Sequence, residues 1–339
     1  MPHPFPNPPH ANRGELFCLE FQSPYLANNF WRDPSIRDLW VYTPVDYDPN
    51  QQCPIVLFLS GFGSTGETLL SRGLSDVSMA RRIDGWIAEG CPPFVAVFPD
   101  CMTTLIGSQF VDSPAIGNYA SFLMKEVIPF VQNRFGCSSR LGVVGRSSGG
   151  YGAIRLAMSY PKINAVACHA GDMAFSTTYC GELTKAILPL QKAGSATAFI
   201  QKFWQKNRFS NADFSAMNLL CMSAAYAPDK SCPDFPSNLP VDLKTGEIFF
   251  DRFLSWQQQD PLFLIDDADN QQALHDLDFL FLDAGDHDEY LLHLAARRFC
   301  EKLKNADIQH QYEEFPGGHR GTSWRYDISI PRLVKELVR

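Results

Sequence analysis

One stretch, residues 141–152 (LGVVGRSSGGYG), limits the fold more than any other part of the chain. Residues 141–145 are a short apolar run, as expected of a buried strand, and from Ser148 onward Ile154, Leu156, Ala157 and Met158 mark a helix that Pro161 stops. Between them, Gly145-Arg146-Ser147-Ser148-Gly149 fits G-x-S-x-G. That pattern predicts a strand-to-helix turn so tight that the serine takes a strained backbone conformation. The flanking glycines follow from the same tightness, because a Cβ at either position would meet the neighbouring backbone. The hydroxyl then stands at a helix N-terminus, where N–H groups and the dipole favour developing negative charge. Ser147 is therefore a candidate nucleophile. By chance alone, at roughly 7% each for Gly and Ser, about one chain of this length in ten would carry the pattern. The strand before it and the helix after it give it weight.

The same strand–helix rhythm extends in both directions. Residues 15–21 and 36–43 alternate as two strands and precede any helix, so an antiparallel edge is expected. Residues 55–60 (IVLFLS) and 94–99 (FVAVFP) are unbroken apolar runs, as in strands covered on both faces of a parallel sheet. A helical pattern runs to Ala88 and ends at Gly90, and a second covers 118–135, with a kink expected at Pro129 and Gly136 beyond its end. After the elbow come strands at 163–170, 277–285 and 308–315, a helix over 289–305 and a last helix toward Arg339. This order predicts a doubly wound, mostly parallel sheet with right-handed crossovers. Residues 173–276 interrupt it, with helix-like segments at 183–194 and 196–206 and a proline-rich stretch at 228–240. They are too long for a loop and are expected to form a cap inserted into a main domain of 15–172 and 277–339.

The net charge of −8 argues against nucleic acid or an anionic membrane surface as partner. No apolar run approaches the ~18–20 residues of a membrane span. Residues 1–14 carry five prolines and no apolar core, which predicts an extended arm rather than a secretory leader. Ten cysteines without a C-x-x-C suggest buried free thiols, no zinc ribbon and a cytoplasmic setting.

A serine hydroxyl needs a base, and the base an orienting group. After a G-x-S-x-G serine, the expected order is an acid beyond a later strand, then a histidine beyond the next one. The 277–285 strand runs into Asp283-Ala284-Gly285-Asp286-His287-Asp288-Glu289, and the 308–315 strand into Pro316-Gly317-Gly318-His319. A lone histidine is more often a surface residue, but the strand end and chain order make His319 the candidate base. His169 and His287 are candidate pocket residues, while His275, His293 and His310 fit packing or surface roles. Spacing alone leaves Asp283, Asp286, Asp288 and Glu289 open as the acid. A metal site is the weaker reading of that cluster, because neighbouring loop side chains seldom converge and no second ligand group accompanies it. No metal or cofactor is expected.

Oxyanion donors are expected at the N–H of Ser148 and, from the loop after the third strand, at the N–H of Phe62. That loop (Gly61-Phe62-Gly63-Ser64-Thr65-Gly66) also spells G-x-G-x-x-G, the pattern of a dinucleotide site. Such a site calls for an acid at the end of the next strand, about twenty residues on. Asp84 has the distance but lies in a helical pattern, and the next strand reaches only Asp100. The dinucleotide reading is the minor one.

With these segments in hand, the chain resembles the esterase D-like branch of the α/β-hydrolases, which includes S-formylglutathione hydrolases, enterochelin esterases, feruloyl esterases and mycolyltransferases. LSGFG is similar to that group's oxyanion segment, GRSSGGYGA to its elbow, DAGDHDEYLL to its G-x-x-D-[EQ]-[FY] acid turn, and EEFPGGH to its histidine loop. The resemblance covers roughly 36–172 and 277–338. It implies an α/β-hydrolase fold with a helical cap and selects Asp288 as the acid. GSQFVDS (107–113) and HAGDMAF (169–175) resemble segments near the active site, which implies substrate-facing positions at Gly61, Gln109 and Asp172. Arg146 departs from the commoner His or Lys before the serine. The implied function is a serine hydrolase of small carboxylic esters or thioesters. Acyl transfer to another acceptor and a non-catalytic binding protein of the same fold are the alternatives. Phe199, Phe203, Trp204, Phe249, Phe250, Phe253 and Trp256 would either roof a hydrophobic pocket or pack the cap onto the main domain. Oligomeric state is not legible.

Overall fold

The unbroken apolar runs become strands covered on both faces. The computed structural model describes residues 14–71, 77–232 and 234–339, so residues 1–13 of the expected arm lie outside it. Eight strands form the central sheet: β1 (Glu15–Gln22), β2 (Ile36–Thr43), β3 (Ile55–Leu59), β4 (Val95–Pro99), β5 (Leu141–Arg146), β6 (Ala165–His169), β7 (Phe279–Gly285) and β8 (Gln311–Phe315). Their spatial order is β1-β2-β4-β3-β5-β6-β7-β8. β2 runs antiparallel to β1 and β4, and every other pairing is parallel. Alternate residues feed two cores. Val56 and Phe58 face helices Met79–Ala88 and Tyr326–Leu337, while Ile55, Leu57 and Val143 face the helix after the elbow and the helices of 119–135.

Two helices differ from the pattern expected of them. Over 119–135 the six residues Phe122–Val127 widen to a π-helix before Ile128–Phe135, with Pro129 in its first turn, continues to Gly136, which has φ 67°. A π turn before a proline accommodates the missing N–H and makes room for the ring. The helix expected from Glu289 begins at Leu292, because the residues before it form a turn that ends with Leu291 at φ 60°.

Between β6 and β7 the chain is helical, built on Cys180–Ala193, Ala196–Trp204 and Asn211–Tyr226. The last, sixteen residues long, was not expected from the sequence pattern. Twelve of its residues are buried, so it has no polar face and no period to detect. Its one signal is Ser210 and Asp213, a capping box ahead of an apolar run. The stretch between β6 and β7 is tied to the segments around the sheet by Tyr151 Oη donating to the Gln259 carbonyl at 3.0 Å and Ser113 Oγ donating to the Ala224 carbonyl at 2.7 Å. All ten cysteines are free, and no helix among the described residues is long and apolar enough to cross a membrane.

Candidate active site

Ser147, Gly61, Phe62, Asp172, Asp288 and His319 all follow the C-terminal ends of parallel strands, so the sheet gathers distant sequence segments at one edge. Ser147 has φ 57° and ψ −127°, the strained turn expected of the elbow. The glycine pattern has a direct cause. A Cβ on Gly145 would lie 2.2 Å from the Gly149 carbonyl oxygen, and one on Gly149 would lie 2.1 Å from that of Leu59. The Ser147 N–H donates to the His169 carbonyl at 2.9 Å, which fixes the turn from the neighbouring strand.

His319 is fastened by the acid turn. Its Nδ1 lies 2.8 Å from Asp288 Oδ2, and the Asp288 side chain is fully buried. The other Asp288 oxygen accepts from the Tyr290 N–H at 2.9 Å, and the Tyr290 ring meets the His319 ring edge-on at 4.9 Å. Glu289 has a different contact: its Oε2 accepts the backbone N–H of His319 at 2.7 Å. Asp286 accepts the Gly317 N–H at 3.0 Å, and the His287 N–H donates to the Gly317 carbonyl. These N–H groups hold the Asp286 and Glu289 carboxyls below the usual carboxylate range. Gly285 is required here, because a Cβ would meet the Gly317 carbonyl oxygen at 2.3 Å.

Ser147 and His319 line one cavity of about 400 Å³ together with Gly61, Phe62, Ser148 and Asp172. Ser148 is the first residue of the helix Ser148–Ser159, so its N–H has no acceptor within the helix. In the loop after β3, Gly63 N–H donates to the Ile106 carbonyl and Ser64 N–H to that of Gly61, while Phe62 N–H bonds to none of the described residues. Asp172 is 7% exposed. Burial pushes its carboxyl up to about 7, against the opposing pull of His319 and the Tyr179 hydroxyl.

Gln109, expected to face substrate, does not line the cavity. Its side chain is buried behind the wall and its Nε2 donates to Tyr226 Oη at 3.0 Å. The seven aromatic residues for which a pocket roof is one expectation do not line it either: Phe199, Phe203, Phe253 and Trp256 are buried, Phe249 is half-buried, and Trp204 and Phe250 are exposed. The aromatic wall is instead Phe62, Tyr179, Phe214, Tyr290 and Tyr326. Phe214 and Asn218 reach it from the helix that the sequence pattern hid.

A second serine–histidine–aspartate line lies beneath the site. His169 places Nδ1 2.8 Å from Asp283 Oδ1 and Nε2 2.9 Å from Ser329 Oγ, and Arg325 Nε donates to Asp283 Oδ2 at 2.6 Å. All four residues are buried and none lines the cavity, so this line is a strut and not a reaction site. His287 is exposed against Asp286. Asp84, the candidate ribose acid, accepts from Tyr42 Oη at 2.6 Å and from the Gly14 N–H at 2.9 Å. Gly66 is needed because a Cβ there would meet the Phe98 carbonyl oxygen at 2.4 Å. No group of three potential ligands that could hold a metal occurs among the described residues.

A family model described as "Putative esterase" matches residues 35–330. No curated protein matches the chain. Among solved structures, a ferulic acid esterase superposes with TM-score 0.63 at 16% identity, covering 96% of this chain and 100% of its own. A fluorophosphonate-binding serine hydrolase of Staphylococcus aureus gives 0.59 at 18%, covering 96% and 99%. An S-formylglutathione hydrolase from Agrobacterium tumefaciens gives 0.59 at 17%, covering 96% and 97%. At these identities the likeness shows the shared α/β-hydrolase fold.

Proposed function

The chain belongs to the "Putative esterase" family and is an ester-hydrolysing enzyme, and we propose that it works through an acyl-enzyme on Ser147. His319 is the base. Asp288 accepts a hydrogen bond from the Nδ1–H, which leaves the Nε2 lone pair free to take the Ser147 hydroxyl proton. The serine oxygen adds to the ester or thioester carbonyl, and the N–H groups of Phe62 and Ser148 receive the oxyanion. His319 returns its proton to the leaving alcohol or thiol. Water, deprotonated by the same histidine, then releases the acid. The Ser147 Oγ to His319 Nε2 hydrogen bond that this step requires is one that commonly closes only with substrate bound.

The observation that supports this reading most is one cavity holding a serine at a strained elbow beside a histidine whose ring is fixed by a buried carboxylate. The name of the Staphylococcus structure suggests the test. Ser147→Ala is expected to abolish both turnover of a p-nitrophenyl butanoate and labelling by a fluorophosphonate probe. Undiminished labelling of that variant would remove Ser147 from the mechanism.

A further inference from the structure

The cavity holds one carboxyl that the proposed reaction does not use. Asp172 follows β6 and lines the cap-side wall with Tyr179, Glu182 and Asn218. Glu182 is already engaged, Oε1 by Lys185 at 2.6 Å and Oε2 by Ser215 Oγ at 2.7 Å. Asp172 is more deeply buried, and its partner from within the protein is the Tyr179 hydroxyl.

Behind Asp172 the wall is packed with hydroxyl and amide groups. Gln109 Nε2 donates to Tyr226 Oη at 3.0 Å, and the Tyr179 hydroxyl donates to Met222 Sδ at 3.5 Å. The Tyr179 hydroxyl also lies near enough to Asp172 to favour its ionised form. Asp172 is thus held as an acceptor in the cavity wall. Its remaining lone pairs face the cavity, where a buried acceptor without a donor is costly.

Resting on the Ser147 hydrolase reading, we infer that Asp172 is a specificity-determining residue that receives a hydrogen-bond donor of the substrate, a hydroxyl or an ammonium. The substrates are then polar esters rather than esters of unsubstituted aliphatic acids.

Two sets of matched esters test it on the full-length enzyme. One varies the acyl side: p-nitrophenyl 3-hydroxybutanoate and 3-aminobutanoate against the 3-methoxybutanoate. The other varies the alcohol side: 3-hydroxybenzyl and 3-(aminomethyl)benzyl butanoates against 3-methylbenzyl butanoate. In one set the donor ester is expected to exceed its donor-less partner in kcat/KM by about 10–100-fold. Asp172→Leu is expected to bring that ratio near one. Asp172→Asn keeps an acceptor for hydroxyl but loses the ammonium preference, and Tyr179→Phe lowers both ratios several-fold. A merely structural Asp172 would depress all esters alike and leave the ratios standing. The ammonium-to-hydroxyl ratio is expected to fall as pH drops through about 7, where Asp172 takes up its proton. His319, Tyr179, Asp288 and Asp260, the ionisable groups that act on Asp172, are common to both esters and largely cancel in that ratio. Ser147-dependent hydrolysis with no donor preference in either set, or a preference that survives in all three variants, overturns this inference and leaves the hydrolase reading intact. No Ser147-dependent hydrolysis of any ester overturns both.

Discussion

Asp288 and Glu289 are neighbours in sequence and opposite in what they hold. Asp288 reaches the His319 ring and Glu289 reaches the His319 backbone, so one sets the imidazole's tautomer and the other its loop. The two are separable by substitution. Asp288→Asn keeps the size but offers Nδ1 a group that can donate, and kcat is expected to fall by up to ~10⁴. Glu289→Gln still presents a carbonyl oxygen to the N–H, so a loss of less than about tenfold is expected, and Glu289→Ala should cost more. Steady-state kinetics on a p-nitrophenyl ester decide it; a larger loss in Glu289→Gln than in Asp288→Asn would reverse the two roles. From sequence the acidic turn left four candidates. Side-chain direction on a turn is set by backbone torsions such as the φ of 60° at Leu291, and spacing does not encode these.

At the scale of elements, β5, its turn and the helix Ser148–Ser159 are held by close backbone approach. Gly149 sits where the helix start crosses β3, so the missing side chain is part of the packing and not a source of mobility. Gly149→Ala is expected to lower the thermal unfolding midpoint, by the equivalent of about 1–3 kcal/mol or more, because carbonyls of a central strand cannot retreat. Gly181, in the first turn of Cys180–Ala193, is the control, since a Cβ added there would have nothing within 4 Å. There Gly181→Ala should raise the midpoint slightly by restricting the unfolded chain. Equal shifts at the two positions would contradict the packing account. The strands were legible as elements because each is an unbroken or alternating apolar run. The helix Asn211–Tyr226 was not, because burial on all sides erases the period.

For the whole molecule, we propose that residues 173–276 form a cap, and these residues share one buried core with the sheet. One continuous buried cluster runs from Leu57 and Val143 of the sheet through Tyr151 to Phe175, Tyr226 and Trp256 of the cap. The aromatic residues meet in close pairs, such as Phe175 with Tyr226 at 4.7 Å and Tyr226 with Trp256 at 5.7 Å. A cap built this way is expected to unfold with the sheet. Far-UV ellipticity and proteolytic cleavage within 173–276 should therefore share one denaturant midpoint. Cleavage at a clearly lower denaturant concentration would make the cap a separate unit. The same shared core gives the cap its part in the site, through Tyr179, Phe214 and Asn218.

What the sequence determined by itself is the frame: eight strands within a few residues of their ends, a sheet with one antiparallel edge, and the three segments that carry Ser147, Asp288 and His319. These are local signals of period, glycine placement and chain order. The tertiary structure decided which groups face the cavity. Gln109, Phe199, Phe203, Phe253 and Trp256 turn away from it, Asp283 and His169 are spent on a buried strut, and Asp172 is left as the acceptor in the wall. Facing depends on packing between segments a hundred residues apart, and no local pattern records that.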